Sequence, residues 1–74
     1  MEEAAMEHHV FKLMEIVGTS GDGMDAAIRA ALVRAGETIR NIRWFEVAAA
    51  RGFVNDRGEI EYQVTLKVGF VLED

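Results

Sequence analysis

Residues 42–72, IRWFEVAAARGFVNDRGEIEYQVTLKVGFVL, hold two strand-like segments on either side of a strong turn signal. Asn-Asp-Arg-Gly at residues 55–58 is typical of a β-hairpin turn, because Asn and Gly tolerate the backbone angles that such turns need. Residues 59–72 alternate between apolar and mainly polar side chains, as a strand with one buried face does. The apolar positions are Tyr62, Val64, Leu66, Val68, Phe70 and Leu72. This pattern predicts two long antiparallel strands, over residues 42–54 and 59–72, joined by a tight turn.

The residues before the hairpin predict one further strand and one helix. Residues 10–17, VFKLMEIV, form a short apolar run that favours a strand. The next six residues, GTSGDG, are turn formers, and we expect Thr19 or Ser20 to cap a helix that begins near Asp22 and stops at Asn41. Apolar side chains recur there at helical spacing, at Met24, Ile28, Ala31, Leu32, Ala35 and Ile39. The predicted class is α+β, a β-α-β-β protomer whose helix packs on the apolar face of a three-stranded antiparallel sheet.

The length and composition of the chain limit how this fold can be stabilised. The chain has 74 residues, a mass of 8.2 kDa and no cysteine. A domain of this size buries little apolar surface against the conformational entropy lost on folding, and neither disulfides nor a thiolate metal site can help. One helix covers one face of a sheet, so the other face and the strand edges stay open to neighbouring subunits. We therefore expect a homo-oligomer.

The acidic residues are concentrated at the N-terminus. The net charge is −5, from 13 acidic and 8 basic residues, and three of the acidic residues lie among the first nine. We expect residues 1–9 to be a mobile acidic arm and residues 10–74 to be a single domain. His8 and His9 are adjacent and lack the i,i+4 spacing of a helical metal site. We interpret them as part of the solvated arm or as a remnant of an added tag, and we predict no metal.

The charge pattern also bears on partners and location. Outside the arm the chain is nearly neutral, which gives no electrostatic case for binding nucleic acid or an anionic membrane. No apolar run approaches the roughly 20 residues that cross a bilayer, and the acidic N-terminus is unlike a signal peptide. We expect a cytoplasmic protein with neither nucleic-acid nor membrane partners.

One aromatic residue stands out as a candidate for ligand binding. Trp44 is the only tryptophan, and strand alternation directs Phe45 and Val47 towards the helix. Trp44 then lies on the opposite face, which Gln63 shares, so we expect an aromatic plane and an amide within reach of a common site. The alternative is that Trp44 fills a subunit interface and Gln63 is an ordinary surface residue. The chain has no catalytic triad pattern, no cysteine nucleophile and no glycine-rich phosphate loop, which argues against an enzyme.

Three stretches together resemble the dodecins, a family of small flavin-binding proteins: VFKLMEIVGTS, AIRAALVRAGETIRNIRWFEV and YQVTLKVGFVLED. The resemblance covers residues 10–74. It implies a sheet partly wrapped around the helix and twelve protomers that close into a hollow homododecamer. It also implies that FMN or riboflavin binds in pairs at two-fold interfaces, each ring stacked on Trp44 and held at its polar edge by Gln63. The implied function is storage and buffering of flavins with quenching of their excited state, without catalysis.

Two further positions concern the choice of flavin. Arg51 resembles an arginine that bacterial dodecins place near the flavin phosphate, but in a regular strand it faces away from Trp44, so a bulge near Gly52 would be needed. Val71 stands where many bacterial relatives have an arginine, which leaves the preference for FMN over riboflavin open. Some bacterial members also hold coenzyme A, for which we can place no site. A structural shell or a coenzyme A binder with a weakened flavin site is therefore the second hypothesis, and a flavin-dependent enzyme is the third.

Overall fold

Four elements follow one another in the order β-α-β-β, as the sequence predicts. The structure is a computed structural model and describes residues 9–72. It contains strand β1 (Phe11–Ser20), helix α1 (Met24–Gly36), and strands β2 (Ile42–Val54) and β3 (Ile60–Val71). The predicted arm lies outside the described residues except for His9. Within residues 9–72, no helix has the length and apolarity needed to cross a membrane.

The three strands form one antiparallel sheet with β3 in the middle, in the order β1-β3-β2. In this position β3 is hydrogen-bonded along both edges, and its alternation provides one apolar face for the helix to cover. Val64, Leu66 and Val68 are all but inaccessible to solvent and form the centre of the core. The predicted buried face of this strand is therefore confirmed at its centre, whereas Leu72, the last predicted position, lies beyond β3 and is 47% exposed.

Helix α1 packs on β1 and β3 through a ridge of alanines. Ala27, Ala31 and Ala35 are buried at intervals of four residues, so small side chains let the helix approach the sheet closely. Gly18 allows the closest approach, since a Cβ atom there would lie 2.5 Å from the carbonyl oxygen of Ala27 and 2.7 Å from the Cβ of Ala31. The predicted stripe omitted Ala27, and the interpretation of Gly18 as a turn residue is wrong, because β1 continues through it.

Both ends of α1 differ from the prediction. Thr19 and Ser20 pair with β3 as the end of β1, so neither caps the helix; Gly23, with φ of 133°, is the cap residue and provides no side-chain hydrogen bond. The Ser20 hydroxyl instead accepts a 2.9 Å hydrogen bond from the backbone N–H of Asp22. The helix ends at Gly36, not at Asn41, whose left-handed φ of 65° turns the chain into β2.

The hairpin turn between β2 and β3 is confirmed. The N–H of Gly58 donates to the carbonyl of Asn55 at 3.0 Å, and Gly58 has a φ of 80°, which favours glycine. The side-chain oxygen of Asn55 accepts hydrogen bonds from the backbone N–H groups of Arg57 and Glu59, both at 2.9 Å. These bonds fix the register of the two strands.

A large apolar surface remains uncovered in one chain. Helix α1 contacts β1 and β3 but leaves the helix-side residues of β2 open, so Phe45 and Val47 are each 44% exposed. The Cα radius of gyration is 15.8 Å, whereas a compact chain of this length has about 11 Å. The strands therefore extend beyond the part of the sheet that α1 covers, and their apolar side chains there stay exposed in one chain.

Candidate functional site

The candidate site lies on the sheet face opposite α1, which we call the outer face. Directly paired residues of antiparallel strands point to the same face, so the strand register shows which residues lie on the outer face. They are Phe11, Leu13, Glu15, Val17 and Thr19 of β1; Glu61, Gln63, Thr65, Lys67, Gly69 and Val71 of β3; and Trp44, Glu46, Ala49, Arg51 and Phe53 of β2.

Trp44 reaches the outer face through a bulge at the start of β2. Ile42 pairs with Phe70 and Trp44 pairs with Gly69, so Arg43 is an extra residue between them. Ile42 therefore points towards the helix side while Trp44 points away from it. The predicted orientation of Trp44 is observed, although the sequence pattern does not indicate this bulge.

The indole of Trp44 lies against the backbone of the central strand. A Cβ atom built on Gly69 would overlap the indole, with Nε1 at 2.6 Å and two ring carbons closer still. Phe11 contacts the indole edge-on, with ring centroids 6.5 Å apart and an interplanar angle of 65°. Trp44 nevertheless remains 40% exposed. The indole is thus supported from beneath by Gly69 and along an edge by Phe11, while much of its surface stays open to a planar ligand.

Arg51 and Gln63 lie together further along the same face. Val47 pairs with Leu66 and Ala49 with Thr65, so Ala48 is a second bulge, and Arg51 consequently pairs with Gln63 on the outer face. The expectation that Arg51 faces away from Trp44 unless a bulge occurs near Gly52 is corrected here, because the bulge lies at Ala48. Thr19 pairs with Gln63 from the other side. A guanidinium, an amide and a hydroxyl therefore form one polar row across three strands.

The register also separates Trp44 from Gln63 within one chain. Gln63 lies six residues along β3 from Gly69, the partner of Trp44, which corresponds to about 20 Å of strand. The expectation that one chain brings the two side chains to a common site is therefore wrong. They share a face, but a single small ligand can contact both only if they come from different copies of the chain.

Two rows of paired outer-face residues lie between the indole and the polar row, and the one nearer the indole is charged. Glu15 and Glu46 pair with Lys67 from either side, so a carboxylate flanks the central ammonium on each neighbouring strand. In the described part of the chain, no group of three or more His, Asp or Glu side chains could hold a metal ion. Val71 pairs with Phe11 and adds apolar surface beside the indole where a charged residue could have stood.

Gly69 and Phe11 belong to the site but are absent from the sequence-based prediction. Gly69 lies inside the clearest predicted strand of the chain, and a glycine inside a strand often marks the close approach of another group. The position of this glycine could therefore have indicated a close contact at Gly69 from the sequence alone. The neighbourhood of Phe11 and Trp44 depends on the pairing of β1 with β3, which periodicity alone does not give.

Comparison with known proteins gives a consistent result. Residues 10–73 match the sequence model of the Dodecin family. A dodecin from Thermus thermophilus is 54% identical over 65 residues, which cover 88% of this chain and 94% of that protein. The calcium dodecin of Mycobacterium tuberculosis is 33% identical over 61 residues, covering 82% of this chain and 86% of that protein.

Solved structures agree in fold. A T. thermophilus dodecin variant superimposes with a TM-score of 0.84 at 52% identity, covering 90% of this chain and 98% of that one. Dodecin from Streptomyces coelicolor gives a TM-score of 0.86 at 47% identity, with 93% and 99% coverage. The M. tuberculosis structure, described as having a novel calcium-binding site, gives 0.79 at 31% identity, with 86% and 91% coverage. The β-α-β-β topology, the match to the family model and these identities establish that the chain belongs to the dodecin family.

Proposed function

We propose that this protein binds flavins, FMN or riboflavin, and stores them in a quenched state, with Trp44 as the stacking surface. The observation that carries the proposal is the placement of the indole, which rests on Gly69 and is 40% exposed on an open sheet face. A large aromatic side chain held in this way offers a fixed plane to a flat ligand. An exposed tryptophan without such support would have many rotamers and would lose more entropy on binding.

The chemistry of a flavin suits this surface. The isoalloxazine ring is flat and electron-poor, so stacking on an electron-rich indole is favourable. A glutamine amide offers one donor group and one acceptor to the hydrogen-bonding edge of the ring, which is the role proposed for Gln63. When the ring absorbs light, transfer of an electron from the stacked indole and its return provide a fast route back to the ground state. Binding of this kind protects the flavin and does not turn it over.

The distance between Trp44 and Gln63 makes the proposed site intersubunit. Because about 20 Å separates their positions along the sheet, a ring on Trp44 of one chain takes its hydrogen bonds from Gln63 of another. Dodecins are homo-oligomeric, and we extend to this chain the hollow homododecamer that the family resemblance implies. The exposed Phe45 and Val47 supply apolar surface for such contacts.

The spacing of substituted residues in T. thermophilus dodecin supports the choice of residues. Separate structures replace a tryptophan, an arginine seven positions after it, and an arginine twenty positions further on. Trp44 and Arg51 are also seven positions apart, and Val71 stands twenty positions beyond Arg51. We assign Arg51 to the phosphate of FMN, since a guanidinium is suited to that group. With Val71 in place of a second arginine, we expect at most a small preference for FMN over riboflavin.

A fluorescence titration tests the proposal. Riboflavin at a fixed micromolar concentration is titrated with purified protein while flavin emission is recorded, and the titration is repeated with FMN. We expect emission to fall and level off near a stoichiometric ratio of flavin to chain. A Val33→Ala variant provides a control, because it removes an exposed apolar side chain of α1 that does not lie on the outer face. If the parent protein leaves flavin emission unchanged, the proposed function is wrong.

A further inference from the structure

Gly69 is a buried glycine near the C-terminal end of the central strand, directly beneath Trp44. We propose that Gly69 is a positioning residue for the ligand. Because Gly69 has no side chain, the Trp44 indole can lie against the backbone of β3, and this contact sets the plane on which a flavin ring stacks. The inference rests on the proposed flavin site and adds to it a residue that does not itself touch the ligand.

The space around Gly69 supports this role. A Cβ atom there would overlap three atoms of the indole, so any other amino acid displaces the ring. The φ of Gly69 lies outside the left-handed region, and the residue pairs regularly with Leu13 and Trp44. Its backbone is thus open to all residues, and glycine is needed only for the room it leaves. Glycine inside a strand is otherwise unfavourable.

The direction of the indole follows from the same contacts. Trp44 belongs to β2, yet its ring atoms lie over Gly69 of β3, so the side chain reaches across the sheet towards β1. Phe11 of β1 meets the far edge of the ring at a centroid distance of 6.5 Å. With support from below and at one edge, the indole has one remaining broad surface, which faces away from the sheet. Lifting the ring from Gly69 removes that fixed plane.

The test compares Gly69→Ala with Gly52→Ala. The two substitutions are identical, and both sites lie in the strands of the hairpin, but a Cβ atom at Gly52 meets only Ile60 Cγ2 at 3.5 Å and the Glu61 carbonyl at 3.9 Å, which are ordinary contacts. Near-ultraviolet circular dichroism reports directly on the indole, because Trp44 is the only tryptophan. Riboflavin affinity is measured by quenching, and the mass of each variant by light scattering.

We expect Gly69→Ala to alter the tryptophan signal of the ligand-free protein and to weaken riboflavin binding about tenfold, while Gly52→Ala changes neither. If assembled Gly69→Ala keeps the parent spectrum and affinity, the inference is overturned. If the parent binds no riboflavin, the proposed function fails, but the ligand-free spectrum still tests whether Gly69 positions the Trp44 indole.

A second variant covers the case in which Gly69→Ala does not assemble. The double variant Gly69→Ala, Trp44→Ala removes the ring that the new methyl group meets. If Gly69 acts only through Trp44, the double variant assembles as well as Trp44→Ala alone. Loss of assembly in the double variant but not in Trp44→Ala would show that Gly69 is required for the backbone itself, and would overturn the inference.

Discussion

Trp44 is the residue on which the proposed ligand site depends most. Trp44→Ala removes the stacking surface, and we expect riboflavin affinity to fall by about 1–3 kcal/mol, the range for stacking of bases on aromatic side chains. Quenching of any flavin that still binds should largely disappear, because the electron donor is gone. The titration described for the parent protein measures both effects, with Val33→Ala as the control. An assembled Trp44→Ala variant that binds riboflavin as tightly as the parent would mean that Trp44 only fills a subunit interface.

Gln63 has a different proposed role, and its substitution should give a different result. Gln63→Ala removes hydrogen bonds at the ring edge but leaves the indole, so affinity should fall by about 1–2 kcal/mol while bound flavin stays quenched. Thr65→Ala is a matched control, because Thr65 is the next outer-face residue on the same strand. Affinity and residual emission at saturation are read from the same titration. If Gln63→Ala and Thr65→Ala both bind riboflavin as tightly as the parent, Gln63 does not belong to the site.

At the scale of elements, the packing of α1 on β1 depends on Gly18. Gly18→Ala places a methyl group against the Ala27 carbonyl and the Ala31 side chain, so we expect a loss of about 1–3 kcal/mol in the free energy of unfolding. Gly36→Ala, at the last residue of α1, meets no atom within 4 Å and should be neutral or slightly stabilising. Denaturant unfolding at equal protein concentration compares the variants, since assembly contributes to stability. Equal midpoints for Gly18→Ala and the parent would contradict the observed close packing.

Strand alternation predicted most of the fold, but it did not predict the irregularities. The alternation of β3 and the glycine at the hairpin turn identified β2, β3 and the buried face, because burial on one side of a strand has a strict period of two. The bulges at Arg43 and Ala48 left no comparable signal. The consequence is clear at Arg51: seven residues of β2 span six residues of β3, so Arg51 lies on the face of Trp44 instead of the opposite one.

The site was predicted in part for a similar reason. Strand alternation correctly placed Trp44 and Gln63 on the same face of the sheet, but it does not predict how far apart they lie along the strands. The pairing of Trp44 with Gly69 separates the two residues by about 20 Å. Helix boundaries failed where local preference and sheet pairing compete, as at Thr19 and Ser20, which suit a helix cap but are held in β1. Both errors come from long-range pairing that one sequence does not reveal.

At the scale of the whole molecule, one chain exposes more apolar surface than an isolated small domain can tolerate. The radius of gyration of 15.8 Å and the exposed side chains of Phe45, Val47 and Phe53 indicate that neighbouring copies complete the fold. We expect a single species in solution with twelve times the chain mass of 8.2 kDa. Light scattering coupled to size-exclusion chromatography measures this mass. A monodisperse monomer at micromolar concentration would contradict the assembly.

The most direct measurement of the central claim is a crystal structure of the protein grown with riboflavin. We predict a planar ring stacked about 3.5 Å from the Trp44 indole, on the side remote from Gly69. The polar edge of that ring should lie within hydrogen-bond distance of Gln63 from a different copy of the chain. A riboflavin bound elsewhere, or an indole covered by protein in the assembled structure with no room for a ring, would contradict the account.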